Sequence, residues 1–372
     1  MGKICISVLF LIVVLWVTPF WAGEVPLGLP PVPIPSDNPQ SPEKIALGKR
    51  LFEDKRFSGD GTVSCANCHD STKAFGDGLP TAEGIRKLKG TRNAPTVINA
   101  AYYEAQFWDG RRSSLEEQAK DPFVNPIEHG LSSHEPILET IRKDASYHAQ
   151  FRSLFGIEPK DINIDHVVKA IASFERTAIS GDSPFDRYLY GGDKTAMSES
   201  AIRGLEIYRV KGRCQDCHSL GQTYAIFTDN KFHNVGVGFK AIEPRMMQIA
   251  NAFRKAKQEG KDIDKSVLGD REISELGRFV VTLRPSDIGG FKTSTLRNIA
   301  VTAPYMHDGS LQTLEEVVEL YNKGGEKNPF LDSGIRPLNL TDQEKADLVA
   351  FLKSLTSPQF ANVALPTSMK KE

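Results

Sequence analysis

Two five-residue segments, Cys65-Ala66-Asn67-Cys68-His69 and Cys214-Gln215-Asp216-Cys217-His218, hold every cysteine of the chain except Cys5. Each sets two thiols at i and i+3 on one face of a turn, with a histidine directly after the second. That is the pattern of covalent c-type haem attachment: the thiols add to the two vinyl groups, and the histidine reaches the iron from the same side. A zinc ribbon would need the two pairs far closer together. A thioredoxin-like redox pair would need a βαβ context, which neither segment has. The expectation is two c-type haems, held by Cys65, Cys68 and His69 and by Cys214, Cys217 and His218.

The N-terminus places this chemistry outside the cytoplasm. Lys3 precedes an apolar run over residues 4–17, followed by Thr18, Pro19 and the small pair Ala22-Gly23. This reads as a signal peptide over residues 1–23. A membrane anchor needs about 20 apolar residues, and Pro19 breaks the run early. Cys5 stands at the start of the run, where lipid attachment does not occur. No later stretch is apolar enough to span a bilayer, so no membrane contact is expected after cleavage, and the periplasm is the expected compartment. Outside the leader all cysteines lie in the two motifs, leaving none for a structural disulfide. The formal net charge of −1 carries no nucleic-acid footprint.

A chain of 372 residues suggests two domains of roughly 150 residues each. Residues 24–40 are proline-rich and read as an extended linker or arm. Helical periodicity begins at Ser41, a good N-cap before Pro42 and Glu43, and carries Ile45, Leu47, Leu51 and Phe52. Further helices are predicted at 114–119, 134–146, 164–177 and 198–210. The glycine-bearing stretch 180–193 breaks periodicity. It separates an N-terminal domain, 41–185, from a C-terminal domain, 186–360, with 361–372 as a tail. Alternating strands are scarce, and the predicted class is all-α.

The two halves resemble one another. Thr96-Val97-Ile98-Asn99, Trp108-Asp109-Gly110 and Leu115-Glu116-Glu117 match Thr295-Leu296-Arg297-Asn298, His307-Asp308-Gly309 and Leu314-Glu315-Glu316 at one offset of 199 (295 against 96). The cysteine motifs are offset by 149 (214 against 65), so the second half carries 50 extra residues before its matching segment. The 199-residue offset sets Tyr321 opposite Pro122. A tyrosine can ligate iron and a proline cannot, so one haem would be closed and the other open.

With these motifs, and with Phe107-Trp108-Asp109-Gly110-Arg111, Phe291-Lys292-Thr293 and Thr302-Ala303-Pro304-Tyr305-Met306-His307, nearly the whole mature chain resembles the bacterial di-haem cytochrome c peroxidases and the MauG-type enzymes. The resemblance implies two cytochrome c-like domains, each with one covalent haem, the haems lying near the domain interface. It makes His69 proximal ligand of a peroxidatic haem and His218 that of an electron-transfer haem. Gln118 and Glu128 become the amide and acid of the distal pocket, and Trp108 lies between the haems. Asn93, Thr302 and Pro304 become ligands of a calcium ion, the latter two through backbone oxygens. Two departures matter. No histidine stands between His69 and His129, so the first haem would be open without activation. The methionine that many of these peroxidases place on the second haem is here Tyr321, as in the MauG-type enzymes.

The plainer readings stand beside these. Glu128 by composition is a surface carboxylate, Trp108 a core residue, and His307, Met306 or His233 alternatives to Tyr321. His129, His134, His148 and His166 read as surface or capping residues, and the lysines of 255–265 as a solvated helix face or a donor-docking site. The leading function is reduction of hydrogen peroxide with electrons from a cytochrome c or cupredoxin. The alternatives are a MauG-type oxidase acting on a protein substrate and, with both irons six-coordinate, a plain electron carrier. A homodimer is left open.

Overall fold

Ser41 caps the first helix as its position predicts: its hydroxyl accepts from the Lys44 amide at 3.1 Å. The computed structural model describes residues 25–261 and 266–363. The leader, most of the 361–372 tail and Lys265 lie outside the described residues. In chain order the longer helices are α1 (Pro42–Glu53), α2 (Leu115–Val124), α3 (Glu135–Lys143), α4 (Ala145–Phe155), α5 (Ile164–Glu175), α6 (Pro184–Leu189), α7 (Glu199–Arg209), α8 (Met246–Gln258), α9 (Leu314–Asn322) and α10 (Asp342–Lys353). The only paired strands among the described residues are β1 (Phe232–His233) and β2 (Phe291–Lys292), antiparallel. The helical class expected from the sequence holds.

The helix predicted over 134–146 ends at Lys143. Asp144 leaves the helical region at φ −94° and ψ 105°, and its carboxylate accepts from the amides of Ser146 and Tyr147, opening α4. An aspartate able to bond the amides ahead of it caps a new helix more readily than it continues an old one.

Each half is built on one crossing. α1 lies on α5, and α7 lies on α10. Both crossings pass through a glycine. A Cβ on Gly48 would stand 1.9 Å from the Ala170 oxygen, and one on Gly204 would stand 2.0 Å from the Asp347 oxygen. Helix backbones come this close only where no side chain intervenes. A third helix in each half, α2 or α9, packs against α5 or α10 respectively. Their caps, Ser114 and Thr313, hold equivalent places.

The 199-residue offset extends to the backbone. Asn99 and Asn298 are left-handed at φ 62° and 58°, as are Phe107 and Met306 at 65° and 73°, and Gly110 and Gly309 at 69° and 64°. The isolated bridges Gln106–Arg112 and Tyr305–Leu311 repeat at the same offset.

The extra residues of the second half form a small core of their own around Phe239, Ile242, Phe253, Leu276, Phe279 and Ile288. This insertion leans on the first half. Arg92 donates to the Ser274 hydroxyl and backbone oxygen, each at 2.9 Å. Arg278 donates to the oxygens of Asp109 and Gly110, each at 2.8 Å.

The division drawn at 185/186 falls inside α6. Phe185 is fully buried against Phe227 and Phe351, so this helix packs with the second half. The proline-rich arm is pinned at both ends. Arg297 grips Asp186 through two bonds of 2.8 and 2.9 Å and donates to the Gly28 oxygen at 2.6 Å. At its far end Asn38 donates to Glu116 at 2.7 Å. The arm is thus a strap across both halves, because its backbone oxygens meet buried donors that would otherwise go unsatisfied.

Candidate functional site

Both cysteine motifs fold as single turns that bring the histidine back over the first thiol. His69 N–H donates to the Cys65 oxygen at 3.0 Å and His218 N–H to the Cys214 oxygen at 2.8 Å. Each imidazole is then fixed from behind. Nδ1 of His69 meets the Phe75 oxygen at 3.3 Å, and Nδ1 of His218 meets the Phe227 oxygen at 3.0 Å. Phe75 and Phe227 are both left-handed, at φ 56° and 58°, which turns their carbonyls toward the rings. A bond at Nδ1 sets the tautomer that leaves Nε2 as the free lone pair, as in metal-bound histidines. Burial depresses both imidazole pKa values and keeps the rings neutral, which ligation requires.

None of the four cysteines is disulfide-bonded. Burial pushes the thiols of Cys68 and Cys214 up to about 12, and that of Cys65 higher still. Redox-active pairs need the opposite, a depressed thiol. Two unbridged thiols at the chamber wall and a neutral, oriented histidine suit covalent haem.

The larger chamber has a volume of about 890 Å³ and is lined by Cys214, Cys217, His218, Met306, Val318 and Tyr321. That lies within the roughly 300–1,000 Å³ of cofactor cavities. Burial first, then the thiols of Cys214 and Cys217, raise the Tyr321 phenol well above its ordinary value. Ligation as phenolate would therefore draw on the charge of the iron. Both ring nitrogens of His233 are engaged, with Asp229 at 2.9 Å and Asp332 at 2.6 Å. His307 is buried, with Nε2 at 2.8 Å from Glu275 and its ring stacked 3.5 Å from that of Phe291. Among the described residues the side chains of Met306 and Tyr321 make no such bonds.

The smaller chamber, about 140 Å³, is lined by Cys65, Cys68, His69, Gln118, Pro122 and Glu128. Gln118 and Pro122 sit one turn apart on α2, and Glu128 follows in the loop after it. Burial pushes the Glu128 carboxyl up to about 7; Arg111 pulls it down and Asp121 adds to the rise. A carboxyl poised near neutrality can both accept and return a proton. His129, read from the sequence as a surface or capping residue, is buried instead. Its Nδ1 meets the Phe57 oxygen at 2.9 Å, and its ring meets the edge of Phe123. His134 and His166 do sit at helix starts.

The chambers share a wall made of Trp108, Tyr103, Lys292, Ser294 and Asn93 with its neighbours. Trp108 Nε1 donates to the Asn93 oxygen at 2.9 Å. Asn93, Thr302 and Pro304 all line the larger chamber. The Asn93 amide donates to the Leu79 oxygen at 2.9 Å. Its own side-chain oxygen, and the backbone oxygens of Thr302 and Pro304, accept nothing from the described residues.

Three charged residues of this region were given no role by the sequence: Glu175 was not singled out, and Arg111 and Lys292 entered only as members of the Phe107–Arg111 and Phe291–Thr293 motifs. Arg111 lies in the smaller chamber with its guanidinium 3.4 Å over the Phe107 ring and bonded to Asp109 at 3.0 Å. Glu175, at the end of α5, lines the same chamber; its Oε2 is buried with no partner among the described residues, and burial pushes its carboxyl up to about 8. Lys292 lines both chambers. The position of Glu175 on an amphipathic helix could have flagged it, since Val168, Ile171 and Ala172 define the buried face that it joins. Lys292 stood inside the Phe291–Thr293 motif, but nothing local marked it as a buried cation.

Residues 42–195 match the family model described as di-haem cytochrome c peroxidase. The chain is 39% identical over 337 residues to the cytochrome-c peroxidase IdrP1 of Denitromonas iodatirespirans, covering 89% of this chain and 86% of that protein. It is 37% identical over 335 residues to the methylamine utilization protein MauG of Methylorubrum extorquens, covering 90% and 84%. Among solved structures, a MauG-like protein associated with microbial copper homeostasis superposes with a TM-score of 0.74 at 34% identity, covering 91% of this chain and 96% of that one.

Proposed function

This chain belongs to the di-haem cytochrome c peroxidase family, and we propose that it is a periplasmic peroxidase reducing hydrogen peroxide to two waters with two electrons from a small redox protein, a cytochrome c or cupredoxin, and two protons. The observation that carries this reading is Glu128, a carboxyl pushed up to about 7 in the chamber that also holds Gln118, Pro122 and His69. Haem bound through Cys65, Cys68 and His69 would supply redox iron there, and haem bound through Cys214, Cys217 and His218 would supply the electron entry.

The chain's own residues do the rest. Pro122 has no side-chain donor and leaves that side of the chamber open to peroxide. Gln118 orients the peroxide by hydrogen bonding. The Glu128 carboxylate takes the proton from one peroxide oxygen and returns it to the other, which leaves as water. Arg111, close enough to lower the Glu128 pKa, favours the ionised form that accepts the proton. Trp108, in the wall common to both chambers, is the side chain through which electrons pass. Asn93, Thr302 and Pro304 offer three oxygens that accept nothing from the described residues, a set that suits calcium completed by waters.

Tyr321 favours a second reading, oxidation of a protein substrate in the manner of MauG. It lines the larger chamber near Cys214 and Cys217, and the nitrogens of His233 are otherwise engaged. Turnover of the matured protein with peroxide and reduced cytochrome c decides between them. Sustained oxidation of cytochrome c coupled to peroxide loss is expected. Reaction with peroxide but no turnover of cytochrome c or a cupredoxin would replace this reading with the second.

A further inference from the structure

Among the described residues Lys292 is a buried cation without a counter-ion. The residue is 8% exposed, and its Nζ donates to the Ala105 oxygen at 2.9 Å. The same ammonium stands 3.7 Å from the centre of the Tyr103 ring. Its backbone N–H donates to the Trp108 oxygen at 2.8 Å. An ammonium has three N–H donors, and one carbonyl does not satisfy them. No carboxylate of the described residues pairs with it. Asp109, the acid whose charge reaches it, is already held by Arg92 at 2.6 Å and Arg111 at 3.0 Å.

A lone buried ammonium is costly, and proteins retain one where an anion completes it or where it gives up its proton. Lys292 lines both chambers, and a haem brings two propionate carboxylates. We propose that Lys292 is the cationic partner of a haem propionate at the shared wall and so tunes the reduction potential of that haem. Without the anion, burial pulls the ammonium down to about 7, as expected of a cation whose counter-charge arrives with the cofactor. The surroundings favour a charge-holding role over a packing one. An apolar side chain could cover the Tyr103 face, yet it could not bond the Ala105 oxygen. Tyr103 is held in place independently, its hydroxyl accepting from the Thr295 amide at 2.8 Å.

This inference rests on the two-haem reading, so the experiment begins with the mass of the matured holoprotein. Absence of covalent haem in the wild type would defeat that reading and this inference with it. With both haems attached, the potential of each is measured separately by spectroelectrochemistry in wild type, Lys292→Gln and Lys292→Arg. Loss of the cation leaves a propionate unpaired and favours the ferric state. Lys292→Gln should therefore shift the reduction equilibrium of one haem about tenfold toward ferric, ~59 mV for a one-electron couple, while Lys292→Arg shifts it far less. The haem that responds identifies the chamber whose propionate is bound. Unchanged potentials at both haems of Lys292→Gln would overturn the proposal and leave the two-haem reading intact. Should Lys292→Gln fail to accumulate, the redox-difference infrared spectrum of Lys292→Arg decides. Shifted propionate carboxylate bands support the pairing, and bands identical to wild type overturn it.

Discussion

Trp108 hangs from Asn93: the indole Nε1 donates to the Asn93 backbone oxygen at 2.9 Å. The residue proposed to carry electrons is therefore held by one proposed to bind calcium. Calcium should stabilise the holoprotein by about 2.7 kcal/mol at a hundred times its dissociation constant. Asn93→Ala should abolish that gain and lose about 1 kcal/mol more with its bond to Leu79. Thermal unfolding with calcium and with chelator measures both. Equal calcium gains in wild type and variant would remove Asn93 from the site.

Glu128→Gln should keep both haem spectra and slow the reaction with peroxide by roughly 10²–10⁴-fold. The pH profile carries the sign. With its carboxyl pushed up to about 7, Glu128 is protonated below that value and cannot accept the peroxide proton. The wild-type rate should rise with pH through about 7 and level off above it, and Glu128→Gln should lack that inflection. Stopped-flow mixing from pH 5 to 9 reads this directly; a shared inflection would assign the titration elsewhere.

Tyr321→Met exchanges a hard anionic ligand for a neutral thioether. The second haem should become easier to reduce, its potential rising, while the first is little changed. Spectroelectrochemistry of both haems is the measurement. If the second haem does not respond, Met306 is the next residue to substitute.

Gly48→Ala and Gly204→Ala test the two helix crossings. In an open helix such a change would stabilise by about 1 kcal/mol. Here each new methyl would meet a backbone oxygen, Ala170 or Asp347, at 1.9 or 2.0 Å. A net loss of roughly 1–3 kcal/mol is expected from overpacking. Denaturant unfolding that shows either variant more stable than wild type would mean the crossing has slack.

Much of this architecture was readable beforehand because it depends on local chemistry or on exact repetition. The haem motifs, the Ser41 cap and the 199-residue offset needed no tertiary information, and the offset reappears even in the left-handed Asn99 and Asn298. The features that were missed depend on distant partners. His129 is buried because the Phe57 oxygen, 72 residues away, receives its ring. Lys292 earns attention only once Tyr103 and Trp108 surround it. The break at Asp144 turns on a competition between two local bonding patterns that periodicity does not register.

The strap at residues 25–40 bears on the order of events during synthesis. Gly28 receives Arg297, 269 residues later in the chain, and contacts so far apart form late. The chain grows from its N-terminus, so the earliest segment made waits for one of the last. Until residue 297 has emerged, Arg297 cannot tie Asp186 to the strap. The strap is therefore fastened late, and it joins the two ends of the chain only when the residue that holds it has been made.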